Sequence, residues 1–186
     1  AYHGYTLNDE SYLNTNYSMP IAETASIFCE TIVKNAILKT ASDKENFFIL
    51  EQDISDSLQV IVDIYSRYIF ESSVIEKRKE GSLSVEEFKN LMIQAQKEAY
   101  KDGLDHEFFH PYMWLCKGHY YEASLNFYNF PYAFGLLFAK GLYAQYLEKG
   151  EAFVEKYDKL LALTGKASIE DVVAYMDIDI SSREFW

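Results

Sequence analysis

The stretch from residue 20 to residue 38, PIAETASIFCETIVKNAIL, most constrains what this chain can fold into. Before Lys34 its only charged residues are Glu23 and Glu30, which stand seven positions apart. At 3.6 residues per turn, this spacing puts both carboxylates on one face of a helix. The small and apolar residues around them predict that the helix is buried. A buried carboxylate is costly unless a cation, a metal ion or hydrogen-bond donors satisfy it.

The composition is typical of a folded globular domain. Of the 186 residues, 49% are apolar and 17% aromatic, which is enough to build a sizeable core. The formal net charge of −12 argues against binding to nucleic acid or to an anionic membrane surface. Two cysteines, Cys29 and Cys116, are too few for a disulfide framework. Cys29 is expected to be a small core residue in a reducing compartment, and a cytoplasmic location follows from that expectation.

The apolar spacing predicts an all-α fold in one unit, residues 1–186. Helices are expected over residues 20–40, 46–78, 84–100, 131–150, 151–163 and 168–176. The long second helix has apolar residues three and four positions apart, among them Leu50, Ile54, Leu58 and Ile61. Residues 112–129 are dense in aromatics and follow no regular pattern. No run alternates at period two, so no strand is predicted.

Two readings of the Glu23 and Glu30 pair are open from the residues alone. In one, neighbouring arginine, tyrosine or backbone groups satisfy both carboxylates. In the other, one carboxylate ligates a metal ion and its companion holds a ligand histidine by the second ring nitrogen. Zinc sites combine two carboxylates in this way because a ligating imidazole donates its other ring N–H to a hydrogen-bond acceptor.

Residues 106–110 read HEFFH and fit the H-E-x-x-H pattern of zinc proteases. The pattern works only on a continuous helix, where both histidines lie on one face. Pro111 follows directly and disfavours helical geometry at His110. The context therefore argues against a zinc-binding helix here. The rival hypothesis is that His106 and His110 bind zinc with a downstream carboxylate such as Glu122.

A third candidate is the aromatic segment that carries His119, Tyr120, Tyr121, Tyr128 and Tyr132. Neutral phenols and an imidazole are good donors to the oxyanion that develops on a peptide carbonyl. The same side chains also fill cores and grooves, so a structural role is the alternative for each of them. Three roles remain for His3: a metal ligand, a hydrogen-bond partner of such a ligand, or an exposed residue near the chain end.

Taken together, these residues resemble a known family. The segment ETASIFCE, residues 23–30, is similar to the E-x-x-S-x-x-x-E helix of the thimet oligopeptidase and oligoendopeptidase F group of zinc peptidases. The opening AYHG looks like the residues that directly follow that family's H-E-x-x-H. Four further features resemble the C-terminal part of oligoendopeptidase F: the segment HPYMWLCKGHYY at residues 110–121, residues 124–132, the apolar helix after them and the closing FW.

The resemblance implies that the chain is the all-α half of a zincin-type catalytic domain. Glu23 would be the third zinc ligand, and Glu30 would hold a ligand histidine. The two histidine ligands and the general-base glutamate would lie just upstream of Ala1. The chain alone is therefore expected to lack a complete zinc site and to be inactive, because a catalytic zinc needs three protein ligands.

The resemblance also implies short peptides as substrates. His119, Tyr128 and Tyr132 would bind them and stabilise the tetrahedral intermediate, with Tyr120 or Tyr121 as alternates. The missing N-terminal part of the same protein would be a partner, and surface that it once covered favours self-association of this chain. The alternative to catalysis is an all-α module whose aromatic groove binds a peptide or a partner helix.

Overall fold

The computed structural model describes residues 1–186, and none of them forms a β-strand, which confirms the all-α class. The helices are α1 (Tyr2–Thr6), α2 (Met19–Leu38), α3 (Asp43–Leu58), α4 (Ile64–Arg78), α5 (Val85–Tyr100), α6 (Phe130–Lys149), α7 (Glu151–Leu163) and α8 (Ile169–Ala174). The segment between α5 and α6 holds only short 3₁₀ turns, as its irregular sequence predicts. None of the helices combines the length and the apolar character needed to cross a bilayer.

A π-helical turn, Gln59–Asp63, separates α3 from α4. The predicted helix over residues 46–78 is therefore one continuous path with a wider turn in its middle. Such turns replace the i→i−4 hydrogen bond by a longer i→i−5 bond, and they occur frequently at functional sites. The apolar residues at three- and four-residue spacing do not indicate this interruption.

Helix starts follow from capping chemistry. The Ser84 hydroxyl accepts the Glu87 N–H at 3.3 Å, and the Glu87 carboxylate accepts the Ser84 N–H at 2.8 Å. Ser42 and Glu45 make the same reciprocal pair at the start of α3. Each such cap contributes about 1 kcal/mol of helix stability. The caps start α3 at Asp43, three residues before its predicted start, and α5 at Val85, next to its predicted start.

The chain divides into two compact units, Ala1–Ile49 with Phe134–Trp186, and Leu50–Ala133. We call them the first and the second unit. The core of the first unit includes the fully buried Phe138 and Phe153. The core of the second unit is centred on Phe70 and Met92, on α4 and α5. The expectation of one domain over residues 1–186 stays a prediction.

Helix α2 is buried on one face only. Ile21, Thr24 and Phe28 recur at three- and four-residue spacing and form its buried stripe. Cys29 and Glu30 lie off that stripe and are exposed. The predictions that Cys29 is a core residue and that Glu30 is buried are therefore wrong for this chain.

The second unit exposes an apolar stripe along α3 and the π-turn. Leu50, Ile54, Leu58 and Ile61 are each between 46% and 61% exposed. A stripe at this spacing usually packs against a core. Clustered exposed apolar side chains mark interaction surfaces. The stripe is therefore the surface through which we expect this chain to self-associate.

The double substitution Ile54→Lys and Leu58→Lys is expected to weaken that self-association at least about tenfold, since it removes apolar area worth roughly 1 kcal/mol or more per side chain. Thermal stability should change little, because both side chains are already about half in water. Sedimentation equilibrium measures the association, and circular dichroism measures the melting temperature. Ser55→Lys, at a neighbouring exposed position, is the matched control. A parent chain that stays monomeric at high concentration contradicts the prediction.

Candidate functional site

Glu23 is partly buried on the first half of α2. Desolvation raises the pKa of its carboxyl group, and the Ser26 hydroxyl opposes that rise. Gly135 of α6 lies directly against this position, since a Cβ placed on it would stand 2.8 Å from the Glu23 Cβ. The two helices therefore approach each other closely at Glu23, the residue that the resemblance predicts to be a metal ligand.

Glu30 lies two turns further along α2 and is exposed. Its Oε1 is 2.9 Å from the Lys34 Nζ in an i,i+4 ion pair. An exposed pair of this kind contributes at most about 1 kcal/mol. The structure of this chain thus satisfies Glu30 with a lysine, and its role beside a ligand histidine stays a prediction.

Four of the five predicted donor residues come together in the second unit. The ring centroids of His119 and Tyr120 are 4.4 Å apart, and those of His119 and Tyr128 are 5.8 Å apart. The Tyr132 ring stands edge-on to Tyr128 at 6.3 Å. Tyr121 stands apart with 61% of its surface exposed. Glu23 and Glu30 belong to the first unit.

The electrostatics of this cluster favour neutral donors. Desolvation, followed by the positive charges of Arg67 and Lys117, lowers the pKa of His119, so its imidazole is uncharged at pH 7. The His119 Nε2 is buried and has no hydrogen-bond partner. Burial raises the pKa of Tyr120, so its phenol stays protonated. Neutral N–H and O–H groups in a desolvated setting are suited to a developing negative charge.

Tyr120 and Tyr121 also line a cavity of about 370 Å³ in the second unit. Phe88 and Trp114 form apolar walls, and Glu71 is among its charged lining residues. Tyr121 therefore faces a different space from the one that His119, Tyr128 and Tyr132 share by ring contact. This placement favours Tyr128 and Tyr132 over Tyr121 as donors.

Reasoning from the sequence missed a buried polar network behind the cluster. Asp63, the last residue of the π-helical turn, and Arg67 of α4 are 8% and 9% exposed and form an ion pair. The Tyr100 hydroxyl donates to the Asp63 Oδ1 at 3.1 Å, and the Arg67 Nη1 donates to the Asn129 Oδ1 at 3.3 Å. The available signal was the i,i+4 spacing of opposite charges at positions 63 and 67.

The H-E-x-x-H match is not on a continuous helix. His106–Phe108 is a single 3₁₀ turn, and Phe109 after it is extended. The His106 Nε2 lies 2.9 Å from the Lys101 backbone oxygen, and His110 is exposed. The described residues hold no group of three or more His, Cys, Asp or Glu side chains that could bind a metal ion. The two histidines therefore do not lie one turn apart on a helix, as the position of Pro111 predicts.

His3 is buried, so it is not an exposed end residue. Its Nε2 lies 2.8 Å from the Thr164 Oγ1, and its ring stacks on Tyr17 at 3.8 Å. Desolvation lowers the pKa of His3. These contacts give it a structural role between α1 and the end of α7.

The chain is similar to bacterial oligopeptidases over nearly its whole length. It is 26% identical over 182 residues to oligopeptidase PepF of Bacillus subtilis, a match that covers 97% of this chain and 27% of that protein. Group B oligopeptidase PepB of Streptococcus agalactiae is 26% identical over 184 residues, and the plasmid oligoendopeptidase F of Lactococcus lactis is 26% identical over 183. Each match covers 97% of this chain and 30% of the relative. The resemblance to oligoendopeptidase F that the sequence predicts is thereby confirmed.

The chain spans about three tenths of the length of these relatives. No protein-family profile matches it, and no solved structure does.

Proposed function

We propose that this chain, a relative of the oligoendopeptidases F, supplies one zinc ligand and the substrate-binding donors of a metallopeptidase that hydrolyses short peptides. The observation that carries the proposal is the match to oligopeptidases along 97% of the chain. The remaining ligands would come from a longer polypeptide that contains this chain, which we call the intact polypeptide. The chain by itself would be inactive.

Glu23 fits the role of a ligand in its chemistry. A carboxylate oxygen is an accepted zinc ligand, and partial desolvation of Glu23 strengthens its attraction to a cation. This chain offers no second and third ligand beside it. Zinc, when bound, would act as a Lewis acid and activate a water molecule.

His119, Tyr128 and Tyr132 would act on the substrate. Their N–H and O–H groups donate hydrogen bonds to the peptide and to the oxygen on which negative charge develops. Since the His119 pKa is lowered, its ring binds as a neutral donor and does not hold a fixed positive charge. Such preorganised donors act because they need no reorientation when the charge appears.

The substitution Tyr128→Phe in the intact polypeptide is expected to lower kcat about 100- to 1,000-fold with a much smaller change in KM, the effect of losing one oxyanion donor. Hydrolysis of an internally quenched peptide measures both constants, and elemental analysis reports zinc. Tyr12→Phe, at an exposed tyrosine of the first unit, is the control and should leave both unchanged.

Two results would defeat the proposed function. One is a natural reading frame upstream of Ala1 without H-E-x-x-H. The other is an intact polypeptide that binds peptides but neither holds zinc nor hydrolyses them, which favours the non-catalytic binding module.

A further inference from the structure

Tyr128 lies on a short segment with a constrained backbone. Phe127, directly before it, has a φ of +53°, the left-handed region that non-glycine residues adopt rarely. Asn129 follows it, and its carbonyl oxygen accepts the Tyr132 N–H at 3.2 Å as α6 begins. A left-handed phenylalanine persists only where neighbouring groups hold it there.

Helix α4 provides those neighbouring groups on both sides of Tyr128. On one side, the Glu71 Oε1 accepts the Phe127 N–H at 2.8 Å. On the other side, the Arg67 Nη1 donates to the Asn129 Oδ1 at 3.3 Å. Arg67 and Glu71 are four residues apart, so they stand one turn apart on the same face of α4.

Both holding groups are themselves fixed. Arg67 is 9% exposed and is ion-paired with Asp63, which also accepts the Tyr100 hydroxyl at 3.1 Å. Glu71 is partly buried, and the Tyr68 ring of the same helix packs on Phe127 at a centroid distance of 5.5 Å. A charge-assisted hydrogen bond that a desolvated carboxylate accepts from a backbone N–H is among the stronger contacts in proteins. The segment is therefore anchored to a rigid helix.

We infer that Arg67 and Glu71 are positioning residues for Tyr128: together they form an α4 clamp that grips the residues before and after it and so fixes the direction of its phenol. The catalytic part of this inference rests on the proposed function. The clamp itself is a property of the second unit and is measurable in this chain without any activity. Neither clamp residue needs to touch the substrate.

The first test measures the clamp in this chain alone, by the exchange of one amide hydrogen. Glu71→Leu removes the acceptor of the Phe127 N–H, whereas Glu71→Gln keeps an oxygen there. Exchange of the Phe127 amide hydrogen, followed by ¹H–¹⁵N NMR, is expected to accelerate roughly tenfold in Glu71→Leu and at most about threefold in Glu71→Gln. Glu76→Leu, at an exposed glutamate further along α4, is the control. An unchanged exchange rate in a folded Glu71→Leu chain overturns the clamp.

Asn129→Ala provides a second test of the clamp if Glu71→Leu does not fold. It removes the acceptor of the Arg67 guanidinium at a partly buried position and leaves Glu71 in place. The ring resonances of ¹³C-labelled Tyr128 should then shift or broaden, while those of the core residue Phe70 stay as in the parent. Unmoved Tyr128 resonances count against the clamp.

The second test reads positioning in the intact polypeptide by a double-mutant cycle. Glu71→Leu is expected to lower kcat roughly tenfold or more with little change in KM, because a small displacement of an aligned group is costly. In a Tyr128→Phe background the same substitution should change kcat less than about twofold, since there is no phenol left to direct. A fully additive loss would show that Glu71 acts only through general stability. If Tyr128→Phe alone has no effect, the proposed catalytic role of Tyr128 fails, while the exchange result still decides the clamp.

Discussion

Replacing Glu23 with Gln is expected to strip the intact polypeptide of its zinc and to lower peptide hydrolysis at least about 1,000-fold. Loss of a partner that only orients a zinc ligand costs 10- to 100-fold in affinity or activity, and loss of a direct ligand costs more. Gln keeps the shape of the side chain but removes the charge that attracts the cation. Elemental analysis after dialysis and a peptide-hydrolysis assay measure the two effects.

The stability of the metal-free chain provides the control for Glu23→Gln. Burial raises the folded-state pKa of Glu23 above its unfolded value, so its contribution to stability is present at low pH and is lost as the pH rises through the folded pKa. Removing that ionisation should leave the metal-free chain at least as stable at pH 7 as the parent. Glu76→Gln, at an exposed ion-paired glutamate, should change neither zinc content nor hydrolysis. Full zinc occupancy in the Glu23→Gln protein would refute the assignment of this ligand.

Gly135→Ala is expected to have the second-largest effect, because it forces α2 and α6 apart at Glu23. The new Cβ would stand 2.8 Å from the Glu23 Cβ and 3.0 Å from the Thr24 backbone nitrogen. Backbone atoms cannot swing away, and overpacking of this kind costs about 1–3 kcal/mol, partly offset by the better helix propensity of alanine. A displacement of about 1 Å at a catalytic group is enough to lower activity about 100-fold.

Gly141→Ala, on the same helix, is the matched variant. It gains the same helix propensity, but its Cβ would meet the tip of the Phe185 ring at 2.7 Å. A side-chain ring near the end of the chain can rotate away, so this variant should keep nearly the parent stability and activity. Urea denaturation and peptide hydrolysis measured on both variants separate a helix shift at Glu23 from a general effect of alanine in α6. Equal behaviour of the two variants would remove the special role of Gly135.

The sequence predicts the helices well because apolar spacing and capping residues are local signals. Helix α7 matches its predicted range of 151–163, and the Ser84 capping box starts α5 where expected. The π-turn was missed because apolar residues at three- and four-residue spacing continue into it, from Ile54 and Leu58 to Ile61. Exposure of Cys29 and Glu30 was missed because an apolar neighbourhood along the sequence does not say which face of a helix packs.

The candidate site shows the same division between local and distant information. His119, Tyr128 and Tyr132 carry the residue types that suit a donor, and the resemblance points to them, but their role stays a prediction. The α4 clamp was not found, because Arg67 and Asn129 are 62 positions apart and no periodicity links them. The resemblance to oligoendopeptidase F predicts which residues are the donors, whereas the groups that hold them are seen only in the three-dimensional structure.

The wider turn at Gln59–Asp63 sets the rotational phase of everything that follows it on α4. One additional residue in a helical turn rotates the downstream face by about 100°. The hydrogen bonds of Arg67 to Asn129 and of Glu71 to Phe127 depend on the rotation about the helix axis that this turn sets. Deleting a single residue there would keep the helix and its composition, yet it would swing both gripping side chains about the helix axis and leave the tyrosine segment unsupported.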